Sequence, residues 1–312
     1  MDQETTTLML DVATRFYVRW ETQAQIARDL HLDPSTVSRL LKRAREDGVV
    51  EVAIRPPRTA SLELARAVAD MFGVPRVLVV PSADDDSVVA GAAADFLDSH
   101  LRSGMRFGVS WGRTLSAVVR RLKPGVVEQL NIAQLAGGID DPEPGIQGHE
   151  LVSELASLYP RSRVSYLHAP AIVGAAAARD AMLADRSIQA ALQSARHCEV
   201  ALVGIGQMDA RATLVRGGHV SSDDLDVLTV AGAVGNLNTR FFGPEGDTVR
   251  HLDHRTIAVE WDALKRIPTV IAVASGAGKT KAMRGALRTG VIDVLVTDDA
   301  TATRLLAHSG PN

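Results

Sequence analysis

Apolar residues recur at helical spacing over the first fifty positions, then gather from about residue 61 into short solid blocks separated by helical stretches. The two patterns predict two kinds of fold in one chain. Over Thr7–Trp20, Leu8, Val12, Arg15/Phe16 and Arg19/Trp20 follow the spacing of an amphipathic helix. Thr22, with Gln25 three residues on, has the form of a capping box ahead of a second helix that places Ile26, Ala27 and Leu30 on one face. Leu32 is expected to plug the turn that follows. Asp33 caps a third helix, and Pro34 takes its first position, where a missing N–H costs nothing. Val37, Leu40, Leu41 and Ala44 form its buried stripe, and Gly48 ends it. VVEVAI, Val49–Ile54, reads as a short strand and a candidate wing; RPPRTAS, stiffened by Pro56-Pro57, reads as a linker. These features bound a first domain at 1–58.

From Ser61 strands and helices alternate. A helix over Ser61–Phe72 is stopped at Gly73-Val74-Pro75. RVLVV (76–80) is a strand, and Asp84-Asp85-Asp86 opens the next helix, where acids complement the helix dipole. Strands are expected at MRFGVS (105–110), VEQLNIAQLAGG (127–138), RVSYLHA (163–169), EVALVGIG (199–206), TIAVEW (256–261), TVIAVA (269–274) and DVLVTD (293–298). Helices fall between them, among them Leu115–Leu122, Gly148–Leu158, Ala175–Ala184, Ser187–Arg196, Asp223–Ala231, Gly278–Arg288 and Asp299–Ala307. Strands apolar on both faces and alternating with helices predict a doubly wound α/β domain, residues 59–312, with a parallel sheet covered on both sides. Ligands of such folds bind outside the carboxyl ends of the strands. The loops there are Ser110–Thr114, Ala136–Ile139, Gly204–Gln207 and Ser275–Lys279, all rich in glycine or small polar residues, and together they predict a polar, backbone-lined pocket.

Charge sharpens the reading of the first domain. The chain carries a net charge of −3, and residues 1–58 hold as many acids as bases. Within Pro34–Arg45, however, Arg39, Lys42, Arg43 and Arg45 meet no acid. Two capped helices joined by a tight turn, with a basic outer face on the second, predict a helix-turn-helix whose second helix enters the major groove. A helical oligomerisation module would explain the apolar stripe but not that basic face, the capped turn or the strand. Candidate DNA contacts are Thr22, Gln23, Ser35, Thr36, Ser38, Arg39, Lys42 and Arg43, with Arg39 reading base edges while Lys42 and Arg43 hold phosphates.

In the second domain GVSWGRT offers backbone N–H groups at a helix start, with Ser110, Arg113 and Thr114 as further donors, so an anionic ligand is favoured. SGAGKT (275–280) resembles a P-loop, but the Walker pattern needs glycine where Val273 stands, so nucleotide binding fails. What survives is Lys279 at a helix start, unfavourable for the dipole and therefore a ligand candidate. HLDH (251–254) reads as a turn rather than a metal site, and His149 and His168 are singly uninformative. Cys198, the sole cysteine, reads as a small core residue and excludes a disulfide framework or cysteine-based zinc finger. No apolar run approaches the ~18 residues of a membrane span, and MDQETTTLML lacks a basic segment before an apolar core. A cytoplasmic protein without membrane partner, metal or cofactor is expected.

The chain resembles the SorC-type (DeoR/CggR-like) sugar-responsive bacterial transcriptional regulators over nearly its whole length. The resemblance rests on QIARDL and STVSRLLKRAREDGVVEV, then GVSWGRTL, QLAGG, VGIG, GAVGNLNTRFFGPEG and VIAVASGAGKTKAMRGALRTGVIDVLVTDDATATRLL. It implies a winged helix-turn-helix followed by an effector domain with the fold of phosphosugar isomerases and deaminases. It also implies a phosphorylated sugar or a related small polyol as effector, and a homotetramer on operator DNA; the expected self-association is a homodimer or homotetramer. Gly112, Arg113 and Thr114 would hold the ligand's phosphate, Gly137 and Gly138 would shape the pocket floor, and Gly276 and Lys279 would approach from the last Gly-rich loop. The chain departs from many relatives at Asn236, an amide where they carry an acid, which bears on the ligand's identity. The alternative is a phosphosugar isomerase or deaminase with an appended DNA-binding domain. The strand-end loops show no carboxylate or histidine placed as a general base, so no catalytic residue is assigned.

Overall fold

The computed structural model describes residues 3–50, 59–83, 85–125, 127–140, 145–209 and 212–307. The chain divides into two compact units, Met1–Pro56 and Pro57–Asn312. Most of the strand expected at Val49–Ile54, the Pro56-Pro57 linker, Asp84 and residues 141–144 lie outside the described residues.

The first unit consists of α1 (Gln3–Tyr17), α2 (Gln23–Asp29) and α3 (Pro34–Glu46). Both expected caps are formed. Thr22 Oγ1 accepts from the Gln25 backbone N–H at 3.3 Å while Gln25 Oε1 accepts from the Thr22 N–H at 2.8 Å. Asp33 Oδ1 accepts from the Ser35 N–H at 2.8 Å. Met9, Val12, Ile26, Ala27, Val37, Leu40, Leu41 and Ala44 form one buried core, with Leu32 packed against it. The first helix differs from its expected span. It stops at Tyr17, and Trp20 lies beyond it in the left-handed region (φ 57°), 62% exposed. The spacing that predicted Trp20 as part of the stripe continues past the point where the chain turns toward α2.

The second unit runs α4 (Thr59–Phe72), β1 (Arg76–Val80), α5 (Ser87–His100), β2 (Arg106–Val109), α6 (Arg113–Val119), β3 (Asn131–Gln134), α7 (Gly148–Leu158), β4 (Arg163–Ser165), α8 (Ala176–Leu183), α9 (Arg186–Arg196) and β5 (Val200–Gln207). It continues with α10 (Thr213–Arg216), α11 (Ser222–Val230), β6 (Gly235–Leu237), β7 (Arg240–Phe242), β8 (Thr248–Val249), α12 (Trp261–Leu264), β9 (Thr269–Val273), α13 (Thr280–Arg288), β10 (Val294–Asp298) and α14 (Asp299–Leu306). Seven strands pair in parallel in the order β1-β10-β9-β5-β2-β3-β4. The solid apolar blocks resolve into two alternating faces. Val200, Leu202, Ile271, Val273, Val294 and Val296 enter one core with Leu97, Leu115 and Leu151. Ala201, Val203, Val270, Ala272 and Leu295 enter the other with Val68, Met283 and Leu305. That is the period-two signature of a sheet buried on both sides.

Two expectations need correction. The sheet is mixed: GAVGNLNTRFFGPEG forms a meander in which β6 pairs antiparallel with β5, β7 with β6 and β8 with β7. TIAVEW is not a strand; Thr256 and Ala258 make isolated bridges to Ile172 and Ala136, and Trp261 opens α12. An apolar run of that length is buried here as an extended connection over the ends of other strands, which periodicity alone does not separate from a ladder strand.

Candidate functional site

The outer face of α3 is open to solvent: Ser35, Ser38, Arg39, Lys42 and Arg43 are exposed, and Thr36 is half-buried. Arg39 lies back along its own helix, Nε donating to Ser35 O at 3.3 Å and Nη2 to Thr36 Oγ1 at 3.1 Å. The basic face is not free of acids, as the Pro34–Arg45 window suggested. Glu46 and Asp47, just beyond it, reach back one turn to Lys42 (3.6 Å) and Arg43 (3.3 Å). Four cations against two carboxylates leave two positive charges. Exposed pairs of this kind contribute only ~0.3–0.5 kcal/mol, so phosphates can displace them. Thr22, exposed, spends its hydroxyl on the cap of α2, and Gln23 beside it is half-buried.

In the second unit the strand order reverses between β2 and β5, and a cavity of about 300 Å³ opens at their carboxyl ends and that of β9. This is the switch point at which open α/β sheets bind ligands, and its volume is at the small end of the ligand-site range. Gly112, Arg113 and Thr114 come from the β2 loop, Gly204 and Gln207 from the end of β5, Ser275 and Lys279 from the β9 loop. Gly112 sits at φ 127°, a conformation that favours glycine, and turns the chain into α6. That helix has seven residues, so its dipole adds little; the positive character of the cavity rests on Arg113 and Lys279. Burial pulls the pKa of half-buried Lys279 below its ordinary value, opposed by the Asp86 carboxylate and reinforced by Arg113. Among the described residues no hydrogen bond or ion pair holds its ammonium. The Trp111 indole N–H, in the cavity wall, is buried without an acceptor among the described residues.

Asp86 is the residue that sequence reasoning missed. Read as a helix-start acid and nothing more, it lines the cavity with its Oδ1 accepting from Ser275 Oγ at 2.5 Å and its Oδ2 from Thr114 Oγ1 at 3.4 Å. The available signal was the long connection from Val80 to Ser87, enough chain to carry a carboxylate from the edge strand toward the β9 loop.

The other expected residues separate. Ser110 is buried, donating from Oγ to Asn238 Oδ1 at 3.0 Å. Asn236 is buried in β6 against Gly206, and Gly276 gives its N–H to Thr301 Oγ1 at 2.9 Å; none of these three lines the cavity. The Ala136–Ile139 loop leaves it too. Gly137 packs where a side chain would strike the backbone of Pro170, and Gly138 borders a second cavity of about 430 Å³ with Gln134, His149, Ser153, Tyr166 and His168. Cys198 is buried, its thiol pushed up to about 12 by burial, which leaves it almost wholly protonated at neutral pH. His251 and His254 meet edge to face, and the described residues hold no cluster of three or more metal-type side chains.

Residues 57–307 match the family model described as "Putative sugar-binding domain", and residues 21–51 match a winged helix-turn-helix DNA-binding model. The chain is 28% identical to the deoxyribonucleoside regulator of Bacillus subtilis, covering 98% of this chain and 99% of that one. It is 29% identical to the erythritol catabolism regulatory protein EryD of Brucella abortus, covering 96% of each. Among solved structures, full-length sorbitol operon regulator SorC from Klebsiella pneumoniae superposes with a TM-score of 0.73 at 28% identity, over 98% of this chain and 100% of that one.

Proposed function

The chain belongs to the SorC-type family of sugar-responsive transcriptional regulators, and from that premise we propose that it controls a carbohydrate or polyol operon by binding operator DNA through α3 under control of an effector held at the β2–β5–β9 cavity. The observation that carries the reading is Lys279: a desolvated ammonium that no hydrogen bond or ion pair holds among the described residues, facing a cavity at the sheet's switch point. The effector is anionic, and a phosphorylated sugar or polyol fits. The relatives are regulators rather than enzymes, and the carboxylate in the cavity is read as a ligand-binding group. Asn236, buried behind Gly206, does not contact the effector directly.

Effector control requires unequal binding to the DNA-competent and DNA-incompetent states, since a ligand that bound both equally would shift nothing. The test is operator affinity on DNA selected from random sequence, measured with and without sugar and polyol phosphates. If no member of a broad panel moves either affinity or thermal stability, the effector reading is wrong.

On DNA, Arg39 must leave Ser35 and Thr36 to reach base edges. Arg39→Ala is expected to cost ~1–3 kcal/mol on the selected operator and to relax its sequence preference. Lys42→Ala should weaken all sequences alike and lower the salt slope by about one. Glu46→Gln, which frees Lys42, should strengthen binding to every sequence. Titrations over a salt series decide this; equal losses on all sequences for both Arg39→Ala and Lys42→Ala would refute the division of roles. A face with two net charges binds weakly alone, so operator affinity comes from self-association that sets two or more copies at fixed spacing, as a dimer or tetramer. Sedimentation with and without operator measures it. A cytoplasmic site of action follows from the DNA partner, and among the described residues no helix is long and apolar enough to cross a membrane.

A further inference from the structure

The cavity is amphoteric, and among the described residues one carboxylate in its lining is fixed in place. Among the described residues Arg113 and Lys279 bring positive charge to its lining and Asp86 brings negative charge. Asp86 arrives from the β1–α5 connection and is tied to two other loops by hydroxyls, Ser275 Oγ on one oxygen and Thr114 Oγ1 on the other. An ionised carboxylate has about four acceptor sites; two hydroxyls leave the rest of an exposed group facing the cavity. Its neighbour Asp85 does something else, accepting from the Ser87 N–H at 2.9 Å to start α5. Asp86 makes no ion pair with Lys279 among the described residues, so the ammonium stays available for an anion while the carboxylate stays available for a donor.

We propose that Asp86 is a specificity-determining residue that accepts from a hydroxyl of the effector, and that the site thereby selects a singly phosphorylated polyhydroxy compound over a bisphosphate, a bare anion or a neutral polyol. The inference rests on the reading of this cavity as the effector site. The single phosphate lies toward Lys279 and Arg113. A second phosphate would meet Asp86 as a like charge. A neutral polyol would leave Lys279 desolvated and unpaired.

The test compares wild type with Asp86→Asn, which keeps one acceptor oxygen for Ser275, removes the charge and replaces the other oxygen by an N–H donor. Calorimetric titration, with Trp111 fluorescence as a second readout, uses inorganic phosphate, open-chain and cyclic polyol monophosphates of four to six carbons, their bisphosphates and their parent polyols. Asp86→Asn is expected to weaken monophosphate binding about ten- to a hundred-fold, the effect of losing one hydrogen bond to a charged acceptor. The same change should tighten inorganic phosphate and the bisphosphates a few-fold. Ser275→Ala, which frees the carboxylate without neutralising it, should weaken the monophosphates without tightening inorganic phosphate. Opposite shifts for monophosphate and phosphate support the proposal; shifts of the same sign in Asp86→Asn overturn it. Neutral polyols bound as tightly as their monophosphates overturn the ligand class while leaving the effector site in place. If wild type binds no phosphorylated polyol and Lys279→Ala changes nothing, the effector reading itself falls and takes this inference with it. Melting temperatures of the unliganded variants show whether each is folded.

Discussion

Lys279→Ala is expected to abolish most effector affinity, a loss of about 1.5–3 kcal/mol for each hydrogen bond the ammonium gives to a charged ligand, or roughly ten- to a hundred-fold per bond. The unliganded protein should not suffer, because the ammonium makes no hydrogen bond or ion pair among the described residues and its burial is a cost. A variant with unchanged or slightly raised melting temperature and lost ligand response is therefore the expected result. Lys279→Arg restores the charge but not the shape, since a planar fork replaces a compact ammonium, and should recover the affinity only in part. Effector affinity should also fall as pH is raised, and at lower pH than an ordinary lysine with its value of 10.5 would produce, because burial lowers the pKa of Lys279 and the neutral amine attracts no anion. Binding titrations across an alkaline pH series check the direction; affinity that is flat until that ordinary value would remove Lys279 from the site.

Gly137→Ala should destabilise the second unit by about 3 kcal/mol, while Gly138→Ala, one residue on, should cost little. A Cβ on Gly137 would lie 2.4 Å from Pro170 O and 2.6 Å from Ala169 O, both backbone atoms that cannot swing aside. On Gly138 the nearest atom, Ala169 O, would stand at 3.9 Å, an ordinary contact. The pair also joins loops: Gly137 N–H donates to Ile257 O at 2.9 Å and Gly138 N–H to Ala169 O at 2.7 Å. Relief of the clash at Gly137 would pull these connections apart, and overpacking of this kind costs ~1–3 kcal/mol or more. For a unit of this size each kcal/mol moves the melting temperature by roughly 2–4 °C, so thermal unfolding of the two variants separates the cases. Equal stability for both would show that the 170 loop yields. The sequence read both glycines as pocket floor; the structure gives Gly137 a packing role and places Gly138 at another cavity.

That difference marks how far the residues can be read alone. Asp33, Pro34 and the Val37–Leu40–Leu41–Ala44 stripe specify α3 completely, because capping and helical spacing act within one or two turns. The same local logic gave α7 its full span and set β1, β9 and β10 to within a residue. It also placed Gly112, Arg113, Thr114 and Lys279 at strand ends, since apolar blocks followed by Gly-rich turns mark those ends directly. It overran α1 at Trp20 and took TIAVEW for a strand, where a correct local period continues through a turn or an extended cover. Pairings just outside a chosen window, Lys42 with Glu46 and Arg43 with Asp47, were missed for want of one more helical turn.

The sequence by itself determined the helix-turn-helix and the parallel, two-sided part of the sheet, because periodicity, caps and Gly-rich loops are properties of contiguous residues, while the family came from the resemblance of its motif blocks. The tertiary structure alone decided which strand-end loops share a cavity. Strand order carries β3 away from β5 and β9, so Gly137 and Gly138 go elsewhere. The connection after β1 brings in Asp86, 189 residues from its partner Ser275. Contacts between residues so far apart follow from the order in which strands pair, and no local pattern of apolar and polar positions encodes that order.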